Sequence, residues 1–220
     1  RTNGHLATLF PTVIDESFNE VWSLDAKLVE ASVNDGFVFC GCSDRHMYAL
    51  TLDGKFFWKF LTGSWPVGAA RIFNKKVYFS SYDRHIYCVS AGGAFRWRYV
   101  TGKGTESTPL IYNNTLYVGS QDTNFYALTL DGEFKWRFKT NGGINASPTV
   151  HGSKIYIGSF DGNLYCLAPD GEFLWRFQTG FGDTFAISDA TKHLLDKLEN
   201  APFMTFFKPE TTQNAKGKKL

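Results

Sequence analysis

The chain has 220 residues, 43% hydrophobic and 20% charged, and its 23 Lys+Arg against 21 Asp+Glu leave a net charge of +2. That length holds one or two domains with a real core. The charge balance argues against a dedicated nucleic-acid or membrane-surface protein, and no apolar run reaches the roughly 18–20 residues a membrane helix needs. Aromatic residues are the outlier at 17%, and 21 Phe, 10 Tyr and 6 Trp beside 21 Gly point to short strands joined by tight turns.

Arg1 opens the chain with no charged-then-apolar leader after it, so the start reads as trimmed and the compartment stays open. Asn3–Leu9 aligns with Asp161–Leu167, and Glu20–Leu24 resembles the last strand of a later unit. Residues 1–27 are therefore expected to form a half-blade, strands C and D joined by a longer connection than usual.

From residue 28 onward one period rules the chain. Trp58, Trp97, Trp136 and Trp175 recur every 39 residues, as do Asp44, Asp83, Asp122 and Asp161, the tyrosines at 48, 87, 126 and 165, and the glycines at 54, 93, 132 and 171. The units are about 28–69, 70–110, 111–150 and 151–183. The fourth resolves into strand A at Ser147–Val150, B at Lys154–Ser159, C at Asn163–Ala168 and D at Glu172–Gln178, separated by turns rich in Gly, Asp and Asn. Four short antiparallel strands per ~40 residues is the pattern of a propeller blade. After the fourth unit, Thr184–Ala190 resembles another strand A, 191–200 reads as a short helix, Ala201–Phe207 as a strand and Lys208–Leu220 as a Lys-rich tail. This divides the chain into a propeller at 1–190 and a C-terminal segment at 191–220.

Strand D alternates with period two: Phe134, Trp136 and Phe138 fall on one face, Lys135, Arg137 and Lys139 on the other. Trp58, Trp97, Trp136 and Trp175 are thus expected to act as wedges between blades, each contributing about 2–3 kcal/mol from burial. The cations (Lys59, Arg96, Arg98 and Arg176 among them) guard an outer edge against strand pairing. Cys40, Cys42, Cys88 and Cys166 have neither zinc nor redox spacing and read as free core thiols, which favours a reducing compartment. Two sequons, at Asn113 and Asn145, matter only in a secretory compartment.

Tyr-Val-Gly-Ser-x-Asp-x-x-x-Tyr-Ala-Leu at 117–128, followed by Asp-Gly-x-x-x-Trp-x-Phe at 131–138, resembles the pyrroloquinoline-quinone-type repeat, and Tyr156–Tyr165 matches equally well. The resemblance implies an all-β propeller of four-stranded antiparallel blades: four clear blades plus a partial fifth. Either the C-terminal strands close a five-bladed ring, or the chain is part of a seven- or eight-bladed propeller. In the family's dehydrogenases a quinone stacks on a Trp beside a calcium ion, under a disulfide between adjacent cysteines; this chain has no Cys-Cys pair.

In such a blade the B–C turns and D–A connections share one face, around a channel lined by strand A. Arg45, His46, Arg84 and His85 fall in two B–C turns, and Trp65, Lys103, Glu106, Asn145 and Asp183 in D–A connections. Cations, imidazoles and an aromatic so gathered suit a peptide or anionic ligand. The expected function is a non-catalytic binding or scaffold module presenting this loop face to a protein or peptide, without cofactor, nucleic acid or membrane insertion, and with room for a multi-chain assembly. One alternative is a quinoprotein dehydrogenase-like fragment binding the quinone and calcium, with Glu106 and Asn145 as the tempting calcium ligands. Another is a structural subunit of an envelope or secretory assembly complex.

Overall fold

The computed structural model describes residues 12–14, 20–23 and 28–179, and every regular element among them is a β-strand. The first blade holds β3 (Leu28–Asn34), β4 (Phe37–Cys42), β5 (His46–Thr51) and β6 (Phe56–Leu61), and the second β7 (Pro66–Phe73), β8 (Lys76–Ser81), β9 (His85–Ser90) and β10 (Phe95–Val100). The third holds β11 (Leu110–Tyr112), β12 (Thr115–Gly119), β13 (Asn124–Thr129) and β14 (Phe134–Lys139), and the fourth β15 (Thr149–His151), β16 (Lys154–Ser159), β17 (Asn163–Leu167) and β18 (Phe173–Gln178). Each is an antiparallel meander in chain order. The first strands β3, β7 and β11 lie against one another, which makes strand A the inner edge and strand D the outer.

Local chemistry sets the turns. The A–B hairpins close on residue pairs with positive φ: Asp35-Gly36, Asn74-Lys75, Asn113-Asn114 and Gly152-Ser153. Two such residues make the type I′ turn whose twist matches the flanking strands. In every C–D pair the register slips by one residue, at Ala49/Leu50, Phe95/Trp97, Ala127/Leu128 and Cys166/Leu167.

The N-terminal hairpin of β1 (Thr12–Ile14) and β2 (Glu20–Ser23) carries the same signature: Val13 faces Trp22, as Ala49 faces Trp58, and the register slips at Val13/Ile14. It thus pairs in the same register as strands C and D of the four blades, as a two-stranded sheet. The expected strand C at Asn3–Leu9 lies outside the described residues; the described partner of β2 is Thr12–Ile14. The inner strand of the fourth blade also begins later than expected, at Thr149; just before it the Ser147 hydroxyl accepts the Thr108 N–H of the third blade at 3.0 Å. Strand C of that blade ends at Leu167 and strand D starts at Phe173, since the Ala168 N–H closes the turn onto the Glu172 carbonyl. The expected strand at 184–190, helix at 191–200, strand at 201–207 and Lys-rich tail lie outside the described residues.

Blades stack through both faces. Phe39, Met47 and Trp58 meet Val77, Phe79 and Tyr87; Tyr78, Ile86 and Cys88 meet Leu116, Val118 and Leu128; Tyr117 and Phe125 meet Ile155, Ile157 and Tyr165. The B strands are consequently buried along nearly their whole length and show no polar alternation.

Candidate partner-binding face

One carboxylate per repeat organises the B–C turn, and those of Asp83, Asp122 and Asp161 also join neighbouring blades. In the B–C turns, Oδ1 of Asp44, Asp83, Asp122 and Asp161 accepts the backbone N–H two residues on, at 3.0–3.1 Å. Oδ2 of the same residues accepts the hydroxyl of Tyr48, Tyr87, Tyr126 and Tyr165. The Gly63 N–H reaches Asp83 at 2.6 Å, Gly102 reaches Asp122 at 2.6 Å and Asn141 reaches Asp161 at 2.9 Å. Each of these donors sits in the D–A connection of the preceding blade, so B–C turns and D–A connections do share one face.

Burial alone would raise the Asp161 carboxyl, but bonds from Asn163, Tyr165 and the Asn141 N–H outweigh it and hold the group below the usual carboxylate range. A depressed folded-state pKa contributes stability above the unfolded value, which is lost as pH falls through the folded one. The urea midpoint is thus expected to drop between pH 5 and pH 2, and Asp161→Asn to drop less over that interval. An equal drop in both proteins would remove Asp161 from this account.

Arg45 and Arg84 occupy the left-handed position of their turns, with φ of 69° and 70°, where the later repeats place Thr123 at 73° and Gly162 at 78°. Their carbonyls accept the Thr62 and Thr101 hydroxyls at 2.8 and 3.0 Å, while their side chains are exposed. A left-handed non-glycine residue costs about 1–2 kcal/mol, and glycine's extra unfolded-state entropy about 0.5–1. Arg84→Gly should therefore leave thermal stability unchanged or slightly raised, a result checked by calorimetry. His46 and His85 fold back on their own turns: Nδ1 lies 3.1 Å from Asp44 and 3.2 Å from Asp83. Asn124 and Asn163 occupy the equivalent places and donate to their own aspartates at 3.1 and 2.9 Å. The His85 imidazole thus braces its turn through the Asp83 carbonyl and carboxylate, whereas His46 Nδ1, though close to Asp44, makes no hydrogen bond among the described residues.

Trp65, Glu106 and Asn145 lie on the inner part of the same face. Trp65 is 48% exposed and meets Tyr82 edge-on at 6.3 Å, and its carbonyl accepts the Tyr82 N–H at 3.0 Å. The Tyr82 hydroxyl donates to Glu106 Oε1 at 2.5 Å, and the same oxygen accepts Gln121 Nε2 at 2.6 Å. Lys103 is exposed, and its carbonyl accepts the Thr101 hydroxyl at 2.6 Å. A line of side chains thus runs Trp65, Tyr82, Glu106, Gln121 across two blade junctions. In the fourth blade, Phe160 stands 44% exposed beside Gly143.

Sequence reasoning missed Tyr82, Gln121 and Phe160. Their signal was variability: they share one repeat position, between the constant Ser81/Ser120/Ser159 and the constant Asp, and change character at every copy.

Trp58, Trp97 and Trp136 lie at the blade junctions. Trp58 Nε1 donates to the Ala91 carbonyl at 2.7 Å and Trp97 Nε1 to Leu130 at 3.1 Å. Trp175 is buried beside Tyr156. The Trp136 indole N–H is buried and has no acceptor among the described residues, while the equivalent Pro169 carbonyl takes the Tyr117 hydroxyl.

Glu106 and Asn145 offer calcium one carboxylate and one amide, and no three His, Cys, Asp or Glu side chains gather as a metal set among the described residues. Calcium takes six to eight oxygens, so these residues do not fit it. All four cysteines are free and buried, and burial pushes the Cys40 and Cys88 thiols up to about 11. Native protein is expected to resist an aromatic disulfide reagent at pH 8 and to react fully in 6 M guanidinium; rapid native labelling would contradict this burial.

A crystal structure titled "The crystal structure of BamB from Moraxella catarrhalis" is similar, with a TM-score of 0.61 and 20% sequence identity over 75% of this chain. The match covers 63% of that chain, so the present sequence spans less than two thirds of its relative. Comparison with curated protein sequences returned no match. A family model described as "Outer membrane protein assembly factor BamB" matches residues 53–195, well over half of the chain. With its blades, turns and 39-residue period, the chain belongs to that family of pyrroloquinoline-quinone-type repeat propellers.

Proposed function

We propose that the chain is a non-catalytic scaffold that presents its B–C/D–A face to a protein partner within a larger assembly. The observation that carries this is the row of exposed aromatics, Trp65, Tyr82 and Phe160, held in place by inter-blade hydrogen bonds. Exposed Trp and Tyr on a rigid frame are the usual anchors of protein interfaces, and pre-organised loops lose little entropy on binding. The family's description as an assembly factor supports a role in building a complex at an envelope, the third of the expected settings.

The test is photo-crosslinking in the source cells, with benzoylphenylalanine at Trp65 or Phe160 and, as control, at Asn113 in an A–B turn on the opposite face. A discrete adduct from positions 65 and 160 and none from 113 is expected. An adduct from position 113 alone would overturn the assignment of the face.

A further inference from the structure

On this face, two inner oxygens, of Ser107 and Asn145, lack donors among the described residues. Glu106 is partly buried, its carboxylate is oriented by two neutral donors, and no ion pair neutralises it among the described residues. Ser107 beside it is fully buried, and its hydroxyl has no hydrogen-bond partner among the described residues. Asn145, the equivalent of Glu106 one repeat later, has a buried Oδ1 that is likewise unpartnered. The Thr108 N–H to Ser147 Oγ bond at 3.0 Å sets residues 106–108 abreast of 145–147. Such unsatisfied groups are destabilising in the free protein. The arrangement supplies oxygen acceptors and one negative charge, with the rings of Tyr82 and Trp65 alongside. A planar guanidinium, five donors and a positive charge able to lie on an aromatic ring, is its complement. Farther out, Arg45, Arg84 and Lys103 are exposed and form no ion pair among the described residues.

From this we infer that the face takes a partner segment that sets an arginine side chain against Glu106 and Asn145 and places acidic residues against Arg45, Arg84 and Lys103. The inference rests on the scaffold reading and specifies its partner chemistry.

It is tested by nitrogen-edited NMR of the full chain, following the Gln121 side-chain amide and the Gly104 N–H. The probes are acetyl-Asp-Ser-Arg-Ser-Asp-amide, the same peptide with citrulline in place of arginine, and calcium chloride. The arginine peptide should shift both signals saturably, and the citrulline peptide should bind at least tenfold more weakly. Glu106→Gln, which still accepts the Tyr82 hydroxyl and so preserves the fold, should weaken the arginine peptide at least tenfold; Asn145→Ala should weaken it about threefold. Equal binding of the two peptides, undiminished binding by Glu106→Gln, no saturable shift, or saturation by calcium alone would each overturn the inference. Crosslinks from positions 65 and 160 without arginine-peptide binding would leave the scaffold reading standing and remove only the arginine. Absence of both would remove the two together.

Discussion

Gly132→Ala is expected to lower stability by about 2–5 kcal/mol, the sum of a left-handed backbone penalty and overpacking against a ring that cannot yield. Gly132 has φ of +86°, and a Cβ there would lie 2.6 Å from Cδ2 of Trp97 in the preceding blade. Gly93 and Gly171 stand in the same relation to Trp58 and Trp136, at 2.7 Å each. The indole is pinned on its other side by Tyr78 and by its own hydrogen bond to Leu130. Gly36, with φ of +80° but nothing within 4 Å of an added Cβ, is the control. Gly36→Ala should cost only the backbone part, about 1–2 kcal/mol. Urea midpoints of the two variants separate the effects. If both fall equally, the Trp–Gly contact does not carry the blade junction.

Asp122→Ala should cost about 3 kcal/mol, because bonds to a carboxylate contribute about 1.5–3 kcal/mol each and the orphaned donors recover part of that from water. Four bonds are lost together: from the Gly102 N–H at 2.6 Å, the Asn124 N–H at 3.0 Å, the Asn124 side-chain amide at 3.1 Å and the Tyr126 hydroxyl at 2.6 Å. Asp122→Asn should recover less than half, since its amide nitrogen would confront the Gly102 and Tyr126 donors. Tyr126→Phe, which deletes one bond and keeps the ring edge-on to Tyr99, should cost about 1 kcal/mol. Because the two residues share a bond, the double variant should be less destabilised than the sum of the singles. Strict additivity would mean that the Asp–Tyr pair does not act as one clasp.

Much of the fold was legible because a repeat reports the same constraint four times. Gly54, Gly93, Gly132 and Gly171 fall where a positive φ is needed, and the tryptophans nine residues beyond Ala49, Cys88, Ala127 and Cys166 mark the outer strand. The same rule found β2 at the N-terminus, but the search for its partner followed residue similarity and reached Asn3–Leu9. Register, which pairs Val13 with Trp22, belongs to the backbone and leaves little trace in side-chain identity in a two-stranded sheet.

The candidate face was legible in outline only. Arg45, His46, Arg84 and His85 stood out because charged residues and histidines attract attention, yet the imidazoles turn inward to Asp44 and Asp83 and the arginines sit at a strained turn position. Tyr82, Gln121 and Phe160 were passed over because each differs from its repeat equivalents, and a periodic reading discards what does not recur.

By itself, then, the sequence determined the blade: its period, its turns, its Asp–Tyr pairs and its wedge tryptophans, all settled by residues at most 39 positions apart. Tertiary structure alone decided which of them meet across a junction. Glu106 is bonded by Tyr82, 24 residues before it, and by Gln121, 15 after it, in two different blades, while Asn145 and Ser107 keep oxygens unpartnered among the described residues. The physical reason is that a hydrogen bond depends on distance and direction in space. Those are set by how one blade rotates onto the next, a quantity no single repeat contains.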